Sequence, residues 1–183
     1  MPRFVPRIVA LLVAAFPLAA AAQTNATVTL LEYRATVPAG WTATKPTSSM
    51  RVAEYTVPTT AGVAELVVYY FGPGQGGSAD ANLARWKGQF STPDGSPVYE
   101  RITRDSTRVA ALTIAEYRGT YARGVGAGSG PGGARPNNTL IAVVAETKSG
   151  TLFFQLFGAN PAVAAARNAY LTFIRSMTPA PAR

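Results

Sequence analysis

Between a hydrophobic run ending at Phe71 and an amphipathic stretch opening at Ala79 stands Gly72-Pro-Gly-Gln-Gly-Gly-Ser78, the one segment whose residue types suggest chemistry. A glycine turn feeding a helix start aims free backbone N–H groups at one point, where an anion can sit. Gly72 and Gly77 have P-loop spacing, but Ser78 stands where the phosphate-holding lysine belongs. Glycines that simply allow positive φ in a tight strand-to-helix crossing are the competing explanation. The ligand-binding candidates are the N–H groups around Gly76, Gly77 and Ser78.

Elsewhere the composition excludes more than it offers. The chain has no histidine and no cysteine, which removes the Ser-His-Asp triad, the Cys-His dyad, histidine-rich zinc sites, disulfides and a lipobox anchor. Nine carboxylates remain, with no D-x-D, E-x-x-E or calcium-loop spacing among them. No catalytic residue, metal ligand or cofactor is therefore assigned.

Met1 to Ala22 carries Arg3 and Arg7, then an apolar run broken only by Pro17, and ends in Ala20-Ala21-Ala22 before polar Gln23. That is the pattern of a secretory signal peptide cleaved near Ala22, so the mature chain is expected in the periplasm or secreted. No later segment approaches the ~18 apolar residues of a membrane span. Residues 23–178 are long enough for a single domain with a core that needs no staples, and 179–183 form a short tail.

The elements follow from periodicity. Leu31, Tyr33, Ala35 and Val37 alternate with polar residues as one strand, and Pro38-Ala39-Gly40 turns the chain into Trp41 to Thr44. Met50 to Val57 alternates again and leads through Pro58 to Gly62 into Glu65 to Phe71, which is apolar on both faces. Such a strand belongs mid-sheet, covered on both sides. Ser78 caps a helix over Ala79 to Phe90, with Leu83, Trp86 and Phe90 as its apolar stripe and Asn82, Arg85 and Gln89 toward solvent. Tyr99 to Arg104 and Val109 to Tyr121 are strands. Leu140 to Glu146 and Thr151 to Phe157 form a hairpin, and Asn160-Pro161 opens a closing helix with Val163, Ala166, Tyr170, Ile174 and Met177 on one face. The aromatics Tyr69, Tyr70, Phe71, Trp86, Phe90, Phe153, Phe154 and Phe157 fall inside these elements and read as core rather than as a stacking platform. Arg51 and Glu54 read as a surface pair.

Of 17 basic against 9 acidic side chains, most basic ones stand singly, which describes a cationic solvated face and gives no sign of nucleic-acid binding. Gly124 to Asn138 holds six glycines and two prolines and predicts a long mobile loop, bounded by Arg123 and Arg135 as candidates for contact with a protein partner.

Val37-Pro-Ala-Gly-Trp41, then Thr151-Leu-Phe-Phe-Gln-Leu-Phe-Gly158 and the helix end Phe173-Ile-Arg-Ser-Met177, resemble the PsbP-like fold family over most of residues 31 to 177. Phe71 to Phe90 and Gly124 to Pro136 further resemble a group of uncharacterised exported bacterial proteins. The resemblance implies binding and assembly rather than catalysis, as in the family's extrinsic photosystem II subunit and its Ran-binding import factor, and it carries no functional residue onto this chain. The expected architecture is α+β, an antiparallel sheet of about six or seven strands flanked by helices in an α/β/α sandwich. The expected function is a non-enzymatic binding or envelope-assembly role with an unknown protein or envelope partner. The alternative is a small anion- or phosphate-dependent hydrolase centred on Gly72 to Ser78.

Overall fold

The computed structural model describes residues 26–122 and 133–181. The signal-peptide segment, Arg123 and most of the glycine-rich loop lie outside them. In chain order the elements are β1 (Thr27–Leu30), β2 (Tyr33–Thr36), β3 (Thr42–Thr44), β4 (Arg51–Thr59), β5 (Gly62–Tyr69), α1 (Ala79–Lys87), β6 (Phe90–Ser91), β7 (Tyr99–Ser106), β8 (Ala110–Tyr121), β9 (Arg135–Thr147), β10 (Gly150–Ala159), α2 (Asn160–Arg175) and β11 (Thr178–Pro179).

An eight-stranded antiparallel sheet runs β3-β4-β5-β10-β9-β8-β6, with β7 also paired to β8, and a three-stranded sheet runs β1-β2-β11. The strand count thus exceeds the six or seven that periodicity suggests. The extra strands are short ones. Alternation from Leu31 reads as one strand, yet the chain reverses at Leu31-Glu32 with Leu31 at φ 56°, pairing Leu30 with Tyr33. β1 buries Leu30 and β2 buries Tyr33 and Ala35, while Leu31 in the turn is half-buried, so the odd-numbered apolar series Leu31, Tyr33, Ala35 hides the reversal. The terminal tail begins in structure, because Pro179 pairs with Tyr33 in β11.

The central strands bury both faces, as the unbroken apolar run in β5 demands. Leu66, Ile114, Val143 and Phe154 join α2's Val163, Tyr170 and Phe173 on one side. Val67, Tyr117, Val144 and Phe153 join α1's Leu83 and Trp86 on the other. Each large side chain buried this way contributes about 1.5–3 kcal/mol. The two helices therefore sandwich one sheet.

Local details differ from the sequence pattern for physical reasons. Helix α1 stops at Lys87 because Gly88 caps it, and Phe90 enters β6 instead, where its ring stacks on Tyr121 at 4.9 Å. Asn82 turns inward and is only 2% exposed. A register slip between Arg51 and Ala53 sets Arg51 opposite Tyr69, so this arginine is buried and its pair with Glu54 at 3.1 Å is no surface pair. Asn160 is the first residue of α2 rather than its cap; its Oδ1 accepts from Thr139 Oγ1 at 2.8 Å. The glycine-rich segment is also shorter than its composition suggests, because Arg135 to Asn138 already belong to β9 and pair with β8 or β10.

Candidate functional site

The Gly72–Ser78 turn links β5 to α1 on one face of the sheet. Gly76 has φ 96° and Gly77 φ 77°. A Cβ on Gly76 would stand 2.7 Å from the Phe153 ring and 2.9 Å from that of Phe71, so both backbone conformation and close approach demand glycine there. Asn82 Nδ2 donates to Gly76 O at 2.7 Å and Ser78 O at 2.9 Å, while Ser78 Oγ accepts from Ala81 N at 3.2 Å. Arg85 Nη2 donates to Asn82 Oδ1 at 2.6 Å, and Asp80 already places a carboxylate in the first turn of the helix. The Gly76 and Ser78 carbonyls are thus met from within. Asn82, placed on the solvent side by its helical period, is the residue that closes the turn, and its i to i+4 spacing from Ser78 was the available signal.

Arg135, the second candidate cation, lies on β9 with Nη1 3.9 Å from Glu65 Oε1, both side chains about half exposed. Arg123 lies outside the described residues. No contact between those two is on view.

The opposite face carries a cluster that sequence reasoning missed. Even-numbered residues of β8 point toward α2, and after the apolar Ala110, Leu112 and Ile114 comes Glu116, 4% exposed. Its Oε1 accepts from Arg118 Nε at 2.8 Å and Nη2 at 2.5 Å, and its Oε2 accepts from Arg167 Nη1 of α2 at 2.6 Å. Strand register sets Arg101 of β7 opposite Glu116. These residues, with Thr139 and Asn160, line a cleft of 230 Å³. Arg118 also lies over the Tyr99 ring at 4.6 Å, which fixes its plane.

Three arginines therefore share one cleft with a single carboxylate. Both oxygens of Glu116 are engaged, and among the described residues Arg101 has no ion-pair partner. Guanidiniums keep their charge and present several donors in a planar fork, the geometry that carboxylates and phosphate oxygens accept. The buried carboxylate holds two of those forks in place before any ligand arrives. Arg167 is 28% exposed and Arg118 49%, so donors remain open to the cleft mouth.

A second cleft of 580 Å³ lies at the seam of the two sheets, lined by Glu32, Tyr33, Arg108, Glu146, Lys148 and Ser149 among others. Ser149 Oγ donates to Glu32 Oε2 at 2.6 Å, and hydrogen bonding from Ser149 holds the Tyr33 phenol below its usual range. Its two acids and two bases balance, and the bonds tie the small sheet to the β9–β10 turn. Among the described residues no group of three or more acidic side chains is arranged to hold a metal, and no helix is long and apolar enough to cross a membrane.

No protein-family model and no curated protein matches the sequence. Among solved structures, the solution structure of cyanobacterial PsbP (CyanoP) from Synechocystis sp. PCC 6803 matches with a TM-score of 0.53 and 13% identity, covering 88% of this chain and 95% of that one. The fold is PsbP-like. A crystal structure of a Pseudomonas aeruginosa protein of unknown function also matches, at TM-score 0.45 and 15% identity, covering 86% of this chain and 99% of that one. Within the PsbP-like sandwich, the arginine cleft sits where α2 crosses β8 and β9, and the glycine turn sits on the far side beside α1.

Proposed function

We propose that the mature chain is an exported, non-enzymatic binding protein whose α2-side cleft holds a small anion, a carboxylate or phosphate group, of the periplasmic or extracellular space. One observation carries this reading: buried Glu116 orients Arg118 and Arg167 while Arg101 stands opposite it without an ion-pair partner among the described residues, leaving cationic donors in excess around the cleft. The Met1–Ala22 pattern supports export. The alternative of a hydrolase centred on Gly72 to Ser78 has less to stand on, because Asp80 already places a carboxylate at that helix start and the Phe71 and Phe153 rings close in on Gly76.

Isothermal titration of the mature chain with inorganic phosphate and with succinate tests the site. Saturable heat is expected, weakened about tenfold or more in Arg167→Gln and in Arg101→Gln, since a charge-assisted hydrogen bond is worth about 1.5–3 kcal/mol. Ser78→Ala should leave it unchanged. Binding that vanishes in Ser78→Ala and survives both arginine changes would return the site to the glycine turn.

A further inference from the structure

Strand β7 (Tyr99-Glu-Arg-Ile-Thr-Arg-Asp-Ser106) pairs with β8 along one edge, and among the described residues no strand covers its other edge. All eight of its residues are exposed, including Tyr99 at 43% and Ile102 at 45%. An ion pair on each face ties the strand to a helix: Lys87 Nζ of α1 to Glu100 Oε2 at 2.8 Å, and Arg175 Nη2 of α2 to Asp105 Oδ2 at 2.7 Å. An exposed strand edge is a template for another strand, and charges along it usually block indiscriminate pairing. Here the charges are arranged about a centre. On the α1 side the order is Glu100, Ile102, Arg104, which reads acid, apolar, base.

We propose that two copies of this chain pair edge to edge through β7, antiparallel about Ile102, making one sheet continuous across a twofold axis. In that register Ile102 faces Ile102 of the second copy, and Glu100 faces Arg104 twice. The other face sets Tyr99 against Asp105 and Arg101 against Thr103, so no like charges meet. A slip of one residue toward the C-terminus opposes Arg101 with Arg104 and Glu100 with Asp105, which like-charge repulsion disfavours, and a slip the other way removes both Glu100–Arg104 pairs. A twofold contact needs this kind of self-complementarity, because each residue meets its counterpart's partner twice. Arg104 has no ion-pair partner within its own copy among the described residues. The second copy supplies one.

The chain has no cysteine, so a single introduced thiol reports the register. Sedimentation of the mature chain over a concentration series reaching millimolar should show a monomer–dimer equilibrium. Ile102→Lys and Arg104→Glu should each weaken it about tenfold or more, and Glu100→Arg combined with Arg104→Glu should restore it. Under mild oxidation Ile102→Cys should form a covalent dimer faster than Thr103→Cys, because directly opposed Cβ atoms lie about 4.5–5.5 Å apart. A chain that stays monomeric at every concentration overturns the proposal, whatever foreign strand it then accepts. So does association that survives both single charge changes, or faster cross-linking at position 103. Ile102, Glu100 and Arg104 face away from the arginine cleft, so phosphate titration of the same variants is independent of the result.

Discussion

The glycine turn beside α1 and the arginine cleft beside α2 lie on opposite faces of one sheet and offer an anion opposite terms. The turn concentrates backbone groups, but one side chain, Asn82, binds two of its carbonyls and Ser78 caps the helix behind it. The cleft concentrates side-chain charge, and its single acid, Glu116, is outnumbered by Arg101, Arg118 and Arg167. A constellation whose polar groups satisfy one another is architecture. One that leaves donors over, held in place by a buried counter-charge, is prepared for something from outside.

The sharpest way to break the comparison is at Gly76. A valine there meets the Phe153 and Phe71 rings at under 3 Å and must adopt φ 96°. Overpacking of about 1–3 kcal/mol plus a left-handed backbone cost of about 1–2 kcal/mol should lower stability by roughly 2–5 kcal/mol in urea unfolding. Phosphate binding by the fraction that remains folded should be unchanged. A Gly76→Val protein of wild-type stability would mean that the turn is not held by packing, and would reopen it as a site.

At the cleft the matching change is Glu116→Gln. It keeps the shape and removes the counter-charge from two guanidiniums, a loss that water softens because Arg118 and Arg167 are partly exposed. Breaking a fully buried pair costs about 3–5 kcal/mol, so a destabilisation of roughly 1–3 kcal/mol is expected here. Arg101→Gln, which removes a cation with no partner to lose, should leave stability within about 0.5 kcal/mol of wild type. If the two variants unfold alike, Glu116 is not the organiser of the cluster and the contrast with the turn fails.

These two regions also differ in how far the sequence displays them. The turn is local: glycines at fixed spacing, Ser78 three residues before Ala81 and an amphipathic helix behind it are all visible in one window. The layered α+β architecture was legible for the same reason, since each long strand and both helices carry their own period. The cleft was not. Glu116 pairs with Arg167, 51 positions away, and meets Arg101 through β7–β8 register, so each looks like a solitary surface charge until tertiary pairing is known. Nor did alternation reveal the Leu31-Glu32 reversal, because half-buried Leu31 in the turn stays in step with buried Tyr33 and Ala35 even though β1 itself buries Leu30. Short strands such as β6 and β11 depend on neighbours rather than on their own two residues.

The same distinction between engaged and unengaged polar groups recurs inside the two cores, and it supplies the smallest expected effect. Tyr117 lies on the α1 side, and its hydroxyl donates to Leu83 O at 3.1 Å, tying β8 to that helix. Tyr170 on α2 is fully buried in the opposite core, and among the described residues its hydroxyl has no partner. Burial pushes both phenols above their usual range. Tyr117→Phe should cost about 1 kcal/mol by removing the hydrogen bond to the Leu83 carbonyl. Tyr170→Phe should instead stabilise the fold by up to about 1 kcal/mol, because it removes a desolvated hydroxyl and keeps the ring that packs beneath α2. Denaturant midpoints measured side by side should therefore move in opposite directions for the same chemical deletion. A loss of stability in both would mean that Tyr170 has a partner of its own, and the polar satisfaction that separates turn from cleft would not separate the two cores.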